Sequence, residues 1–162
     1  MLPNLRQTYF VIFAGCTSLI LIALYMQHQM GLHPCPLCVT QRVFVIAVGL
    51  IALVAALHNS KGFSNTIYSG LAVVAGIIGA GVSARHVWIQ NLPEDQVPAC
   101  GPGLEYMFET FPLFDALALL FQGDGNCADV VWSFLGLSIP AWTFVAFVGL
   151  IVLCTWQGMR RA

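Results

Sequence analysis

The chain has 162 residues, of which 59% are hydrophobic and only 8% are Asp, Glu, Lys or Arg. A soluble domain carries about a quarter charged residues, so a water-soluble globule is excluded, and a mean hydropathy of +0.83 agrees. Six scattered basic residues make no patch for nucleic acid, and so apolar a chain is not disordered, which leaves an integral membrane protein.

The gaps between charges set the number of crossings. Stretches of 35, 18, 23 and 30 residues without Asp, Glu, Lys or Arg separate Arg6 from Arg42, Arg42 from Lys61, Lys61 from Arg85, and Asp129 from Arg160. A spanning helix needs about 20 mostly apolar residues, so four are predicted, over 9–26, 36–57, 67–88 and 139–156. Their apolar residues run continuously instead of alternating, which excludes barrel strands. The fold class is therefore an all-α four-transmembrane-helix bundle, expected to form a single membrane domain over 1–162.

The first segment follows Arg6 as a signal peptide would. However, 10–26 is longer than a signal-peptide apolar core, and Gln27-His28-Gln29-Met30 offers no small-residue cleavage site, so it is expected to remain as a span. Tyr9 and Tyr25 stand at its ends, as Tyr68 and Trp88, and Trp142 and Trp156, do in the third and fourth, where ring and headgroup are expected to meet. Cys16, mid-way along the first span, and Cys154, near the inner end of the fourth, read as small apolar fillers.

The second span opens on Pro34-Cys35-Pro36-Leu37-Cys38 and carries Arg42. A guanidinium inside a span costs about 2.5–3.5 kcal/mol on insertion scales and calls for a partner. Arg42 either snorkels to headgroups or donates to an anionic or carbonyl ligand beside Cys38. The third span ends on Arg85, His86 and Trp88. A helical His is often a hydrogen-bonded packing residue. Here Arg42 and His86 come from different helices at similar depth, so both are expected to line one pocket, which a flat apolar quinone with two carbonyl oxygens would suit.

Arg6, Lys61, Arg160 and Arg161 all fall on one side of such a bundle, which the positive-inside rule makes cytoplasmic together with both termini. The other side holds loops 27–35 and 89–138, and the second of these contains all seven acidic residues. Within it, 104–122 carries Leu104, Met107, Phe108, Phe111, Phe114, Leu117 and Phe121. Too short and too acidic to span, this stretch is expected either as a short helix in the interface or as a cap on the bundle.

Cys35, Cys38, Cys100 and Cys127 all lie on the outer side, where an oxidising compartment favours disulfides. A zinc site would use the Cys-x-x-Cys and two more thiolates, but the oxidising exterior and the lack of a second close-spaced pair count against it, and no metal is expected. Covalent haem would need His where Val39 stands. Two structural disulfides remain open, although a Cys-x-x-Cys ring constrains the unfolded chain least. Redox chemistry is the remaining reading. Pro36 suits a first helical turn, the positive end of the helix dipole favours an anionic sulfur there, and Arg42 lies one turn beyond Cys38 on the same face.

Taken together, Cys35-Pro-Leu-Cys38 with Arg42, Arg85-His86-Val-Trp88, Cys100-Gly-Pro-Gly-Leu-Glu-Tyr, Asn126-Cys127-Ala-Asp-Val-Val-Trp132 and Leu137-Ser-Ile-Pro140-Ala-Trp142 resemble the DsbB family of bacterial inner-membrane disulfide-generating proteins, over essentially the whole chain. The resemblance implies a protein-disulfide:quinone oxidoreductase with both redox pairs on the periplasmic side. A Cys100–Cys127 disulfide would oxidise a soluble, periplasmic DsbA-like protein of thioredoxin fold. Cys127 would then pass electrons to Cys35, releasing Cys38 against the quinone, ubiquinone or menaquinone, with Arg42 stabilising that pair and His86 nearby. Vitamin K epoxide reductase-like proteins also set Cys-x-x-Cys in a small helical bundle, but there the loop cysteines precede the motif, and here they follow it. The rival from another class is a non-enzymatic membrane subunit braced by structural disulfides.

Overall fold

The computed structural model describes residues 4–99, 112, 118 and 120–160. Four long helices dominate it: α1 (Leu5–Gln29), α2 (Pro36–Leu57), α3 (Phe63–Gln90) and α4 (Ile139–Met159). Even α4, the shortest with 21 residues, is about 32 Å long at 1.5 Å per residue, enough to cross a hydrocarbon core of about 30 Å. All four are apolar enough to do so. The protein is thus a multi-pass, four-helix membrane protein.

The helix boundaries follow local chemistry. Cys35 holds the extended backbone of an N-cap before α2 and Pro36 takes the first helical position, where its missing N–H costs nothing. Ser138 and Pro140 open α4 in the same way. The second span has the predicted ends, whereas α1 and α3 run about a turn beyond their apolar stretches at their N-terminal ends. For α1 the reason is visible: Gln7 Oε1 accepts a hydrogen bond from the Asn4 backbone N–H at 2.9 Å, half of a capping box that carries the helix past its hydrophobic limit.

The helices pack in chain order, α1 on α2, α2 on α3 and α3 on α4, while α1 and α4 meet only sparsely. Ile12, Cys16, Val48, Ala52, Phe147 and Cys154 belong to one buried cluster, so both span cysteines are core fillers as expected. Close approach of α3 and α4 depends on small residues, the usual membrane solution where lipid supplies no hydrophobic drive between helices. A Cβ on Gly79 would lie 2.3 Å from the Phe147 ring, and one on Gly76 would lie 2.9 Å from Ile151.

A polar knot closes the end of the bundle opposite the Cys-x-x-Cys. The Tyr9 hydroxyl lies 2.8 Å from both Asn65 Oδ1 and Ser69 Oγ. Asn65 Nδ2 donates to the Gln157 carbonyl, and Gln157 Nε2 to that of Leu5, each at 2.8 Å. Tyr9 is therefore not a headgroup anchor as its position suggested. It is buried because its hydroxyl finds partners inside the bundle, whereas Tyr25 and Trp88 do stand exposed on the outer surface of the bundle.

The segment between α3 and α4 is described in part. The stretch 104–122 falls mostly outside the described residues; of its ends, Leu120 is buried and the Phe121 ring packs on Phe44 at 6.3 Å. Just before α4, β1 (Ser133–Phe134) pairs antiparallel with β2 (Leu137–Ser138). Leu135 and Gly136, both at positive φ, make the tight turn such a hairpin needs. Trp142 Nε1 donates to the Phe134 carbonyl at 3.0 Å and lays the hairpin along the first turn of α4.

Packing at Gly79 yields a test. Gly79→Leu will lower the thermal unfolding midpoint of the detergent-solubilised protein, since overpacking a tight core costs about 1–3 kcal/mol. Gly81→Leu, on the same helix where a Cβ meets open space, will leave the midpoint nearly unchanged.

Candidate active site

The site is built on the first turn of α2. With Cys35 at the N-cap and Cys38 three residues on, the two side chains rise on one face of the helix start, and their sulfurs stand 3.3 Å apart. Among the described residues Cys16, Cys35, Cys38, Cys127 and Cys154 are free thiols.

Cys127 arrives from the loop before α4. The chain crosses directly above Leu37 at Gly123, whose φ is +74° and where a Cβ would lie 2.7 Å from Leu37 Cδ1; only glycine satisfies both conditions. A short 3-10 turn, Gly125–Cys127, follows. It is fastened by Cys127 N–H to Asp124 O at 3.0 Å and by Gly125 N–H to Ala99 O at 3.3 Å. The result is a buried Cys127, 1% exposed, whose thiol donates to Asp124 Oδ1 at 3.6 Å. Its hydrogen bond with Cys35, reinforced by burial, holds the Cys127 thiol well above the ordinary thiol pKa.

His86, on the last turns of α3, joins the two cysteine segments. Gln41 of α2 meets its Nδ1 at 3.1 Å. With the Gln41 amide donating there, the ring proton belongs on Nε2, which donates to the Cys127 carbonyl at 3.1 Å and lies 3.7 Å from Cys35 Sγ. Cys35 Sγ, His86 Nε2 and Cys127 Sγ all fall within 4.8 Å of one another. Such proximity permits thiol–disulfide exchange between Cys127 and Cys35, with the imidazole beside both sulfurs.

Cys38 faces a different space. A cleft of about 580 Å³ opens between α1, α2 and α4, and Cys38, Gln41 and Arg42 line it together with side chains such as Leu19, Trp132 and Trp142. Arg42 does not snorkel. It donates to Gln27 Oε1 and to the Ala23 carbonyl, both in the last two turns of α1, where the negative end of a helix dipole suits a cation.

The sequence-predicted residues are therefore divided. Cys35, Cys38, Cys127 and His86 come together, and Arg42 flanks Cys38. His86 does not line the Arg42 cleft, contrary to expectation, because the rotation of α3 turns its ring toward the sulfurs; equal depth does not fix helical phase. Cys100 lies outside the described residues. Arg85 donates twice to the Gln122 carbonyl, at 3.0 and 2.9 Å, and so anchors the loop that delivers Cys127. Gln41, Gly123 and Asp124 were not anticipated. A polar side chain within an apolar span was the available signal for Gln41; for the other two only the folded loop reveals the role.

A membrane-spanning bundle that opens one helix with paired thiols and seats a third against them defines a membrane thiol–disulfide oxidoreductase. The comparisons agree. The family model for disulfide bond formation protein DsbB matches residues 5–157. A disulfide bond formation protein B from Saccharophagus degradans is 70% identical over 99% of this chain and 97% of its own. Those from Nitrosococcus oceani and Hahella chejuensis are 51% and 47% identical, over 95% and 96% of this chain and 91% and 94% of theirs. The chain belongs to the DsbB family of disulfide bond formation proteins.

Seating of Cys127 can be probed by alkylation of the reduced protein. Gly123→Ala forces strain of about 1–3 kcal/mol into the turn and will raise the rate of Cys127 alkylation on the order of tenfold. Protection of the wild-type thiol will persist below the ordinary thiol pKa of about 8.5 and decline above it. A thiol whose pKa is raised on docking stabilises the docked turn only while it keeps its proton.

Proposed function

We propose that this protein is a quinone-dependent protein disulfide oxidase of the bacterial inner membrane, working as one membrane domain with its termini cytoplasmic and its Cys-x-x-Cys end periplasmic. Its soluble substrate is a DsbA-like dithiol oxidase of thioredoxin fold. The observation that carries this reading is the largely apolar cleft against Cys38 and Arg42, roomy enough for a planar ring and bounded by membrane-spanning helices that a long-tailed lipid-soluble molecule can approach.

In this reading a partner thiolate attacks Cys100 of a Cys100–Cys127 disulfide and forms a mixed disulfide, releasing Cys127. Cys127 attacks Cys35 of an oxidised Cys35–Cys38 pair, and Cys38 leaves as a thiolate at the helix N-terminus beside Arg42. The partner's second thiolate resolves the mixed disulfide, freeing Cys100 and leaving the partner oxidised. Ubiquinone or menaquinone, when bound, supplies the sink for two electrons and two protons. Cys38 and Arg42 would hold it, Arg42 offering N–H donors to a carbonyl oxygen. Proximity of Cys127 to Cys35 supports exchange between them, and His86 serves the sulfur side, its Nε2 3.7 Å from Cys35 Sγ.

Steady-state assays with reduced partner and a soluble quinone check the proposal. Cys38→Ala will abolish quinone reduction. Arg42→Ala will raise KM for the quinone severalfold or more, with a smaller loss in kcat. A membrane subunit with merely structural disulfides would show neither effect, and wild-type kinetics in both variants would overturn the proposal.

A further inference from the structure

We propose that the fully reduced protein holds a zinc-class divalent cation between Cys35, Cys127 and His86. Spacing along the sequence provides only the Cys-x-x-Cys; the fold adds the Cys127 thiol and the imidazole. Cys35 Sγ, Cys127 Sγ and His86 Nε2 lie within 4.8 Å of one another, Cys35 Sγ to His86 Nε2 being 3.7 Å. Tetrahedral zinc with Zn–S near 2.3 Å and Zn–N near 2.0–2.1 Å requires donors about 3.5–3.8 Å apart, so side-chain shifts of about 1 Å bring these three donors onto an ion and leave the fourth position to water.

The surroundings meet the remaining requirements. Metal-bound imidazoles are oriented through their other nitrogen, and Gln41 already holds Nδ1; a flip of its amide presents the oxygen to an Nδ1–H. Cys38 lines the open cleft, which supplies a path of entry. Two thiolates with a divalent ion leave no net charge, so the ion offsets the cost of two anionic sulfurs in a buried place. Binding moves no electrons: the ion gains two metal–sulfur bonds and one metal–nitrogen bond, and two thiol protons pass to the buffer. Oxidation of Cys35 and Cys38 to a disulfide withdraws the Cys35 thiolate, so the site exists only in the reduced protein, where a bound ion would block exchange at Cys35 and Cys127. This inference rests on donor geometry and is independent of which electron acceptor the protein uses.

The test titrates Zn2+ into the full-length protein in detergent micelles, reduced and desalted without oxygen, against a chromophoric chelator and a pH indicator. The reduced protein will bind one Zn2+ per chain and release two protons, and the oxidised protein will bind none. Cys127→Ser and His86→Gln will each weaken binding on the order of 100-fold, since loss of outer-shell support alone costs about 10–100-fold. Undiminished affinity in both variants would mean a two-thiol site at the Cys-x-x-Cys, and equal binding by oxidised protein would mean adventitious coordination; either overturns the proposal. If His86→Gln does not fold, the near-isosteric Cys127→Ser decides alone.

Discussion

His86 is held by hydrogen bonds on both ring nitrogens, from Gln41 on α2 and to the backbone carbonyl of Cys127, and the arrangement of the sulfurs depends on that double hold. The second bond joins positions 41 residues apart across a loop that no spanning helix controls. Without it, the Gly125–Cys127 turn would rest on the Leu37 contact, on Gly125 N–H at the Ala99 carbonyl and on Arg85 at the Gln122 carbonyl. With it, the carbonyl next to the Cys127 side chain is fixed over the N-terminus of α2, and a buried imidazole that would otherwise carry an unmet donor and acceptor is satisfied. Stability and sulfur placement come from the same pair of bonds.

The consequence is a site with two sides. Cys35 meets Cys127 and His86 in a sealed space beneath the loop, whereas Cys38 faces the cleft beside Arg42. One helical turn separates the two environments, so in the proposed function a pair of adjacent thiols exchanges with a loop cysteine on one side and with a membrane-soluble acceptor on the other. In the proposed electron route Cys38, near the N-terminus of α2 and beside Arg42, is the sulfur placed to leave as a thiolate.

Much of this was legible in the sequence, for reasons that differ between parts. The four spans were, because an apolar run of 18 or more residues without charge matches the thickness of a bilayer and exceeds what a buried core helix of a soluble domain needs. The ends of α2 were fixed by Cys35 and Pro36. The extra turns of α1 and α3 were not legible, since they are amphipathic ends where hydropathy stops but backbone hydrogen bonding continues. The Ser133–Ser138 hairpin was missed because its turn uses Leu135 and Gly136 in place of the Asn-Gly signal such turns usually show. Tyr9 looked like an interfacial anchor because its hydroxyl partners, Asn65 and Ser69, come from another helix. At the site, cysteine spacing and an intramembrane Arg were visible to inspection. The side of α3 on which His86 emerges, and the descent of Gly123 onto Leu37, are set by tertiary packing, which a linear pattern does not encode.

The central claim is that the fold itself places Cys127 within exchange distance of Cys35. It is tested most directly in a Cys38→Ala, Cys100→Ala double variant, in which Cys35 and Cys127 are the remaining thiols of the site. Mild oxidation followed by proteolysis and mass spectrometry should recover a Cys35–Cys127 disulfide in most molecules, at low protein concentration and without any partner protein. Recovery of both cysteines unbridged, or bridged only between molecules, would contradict the account.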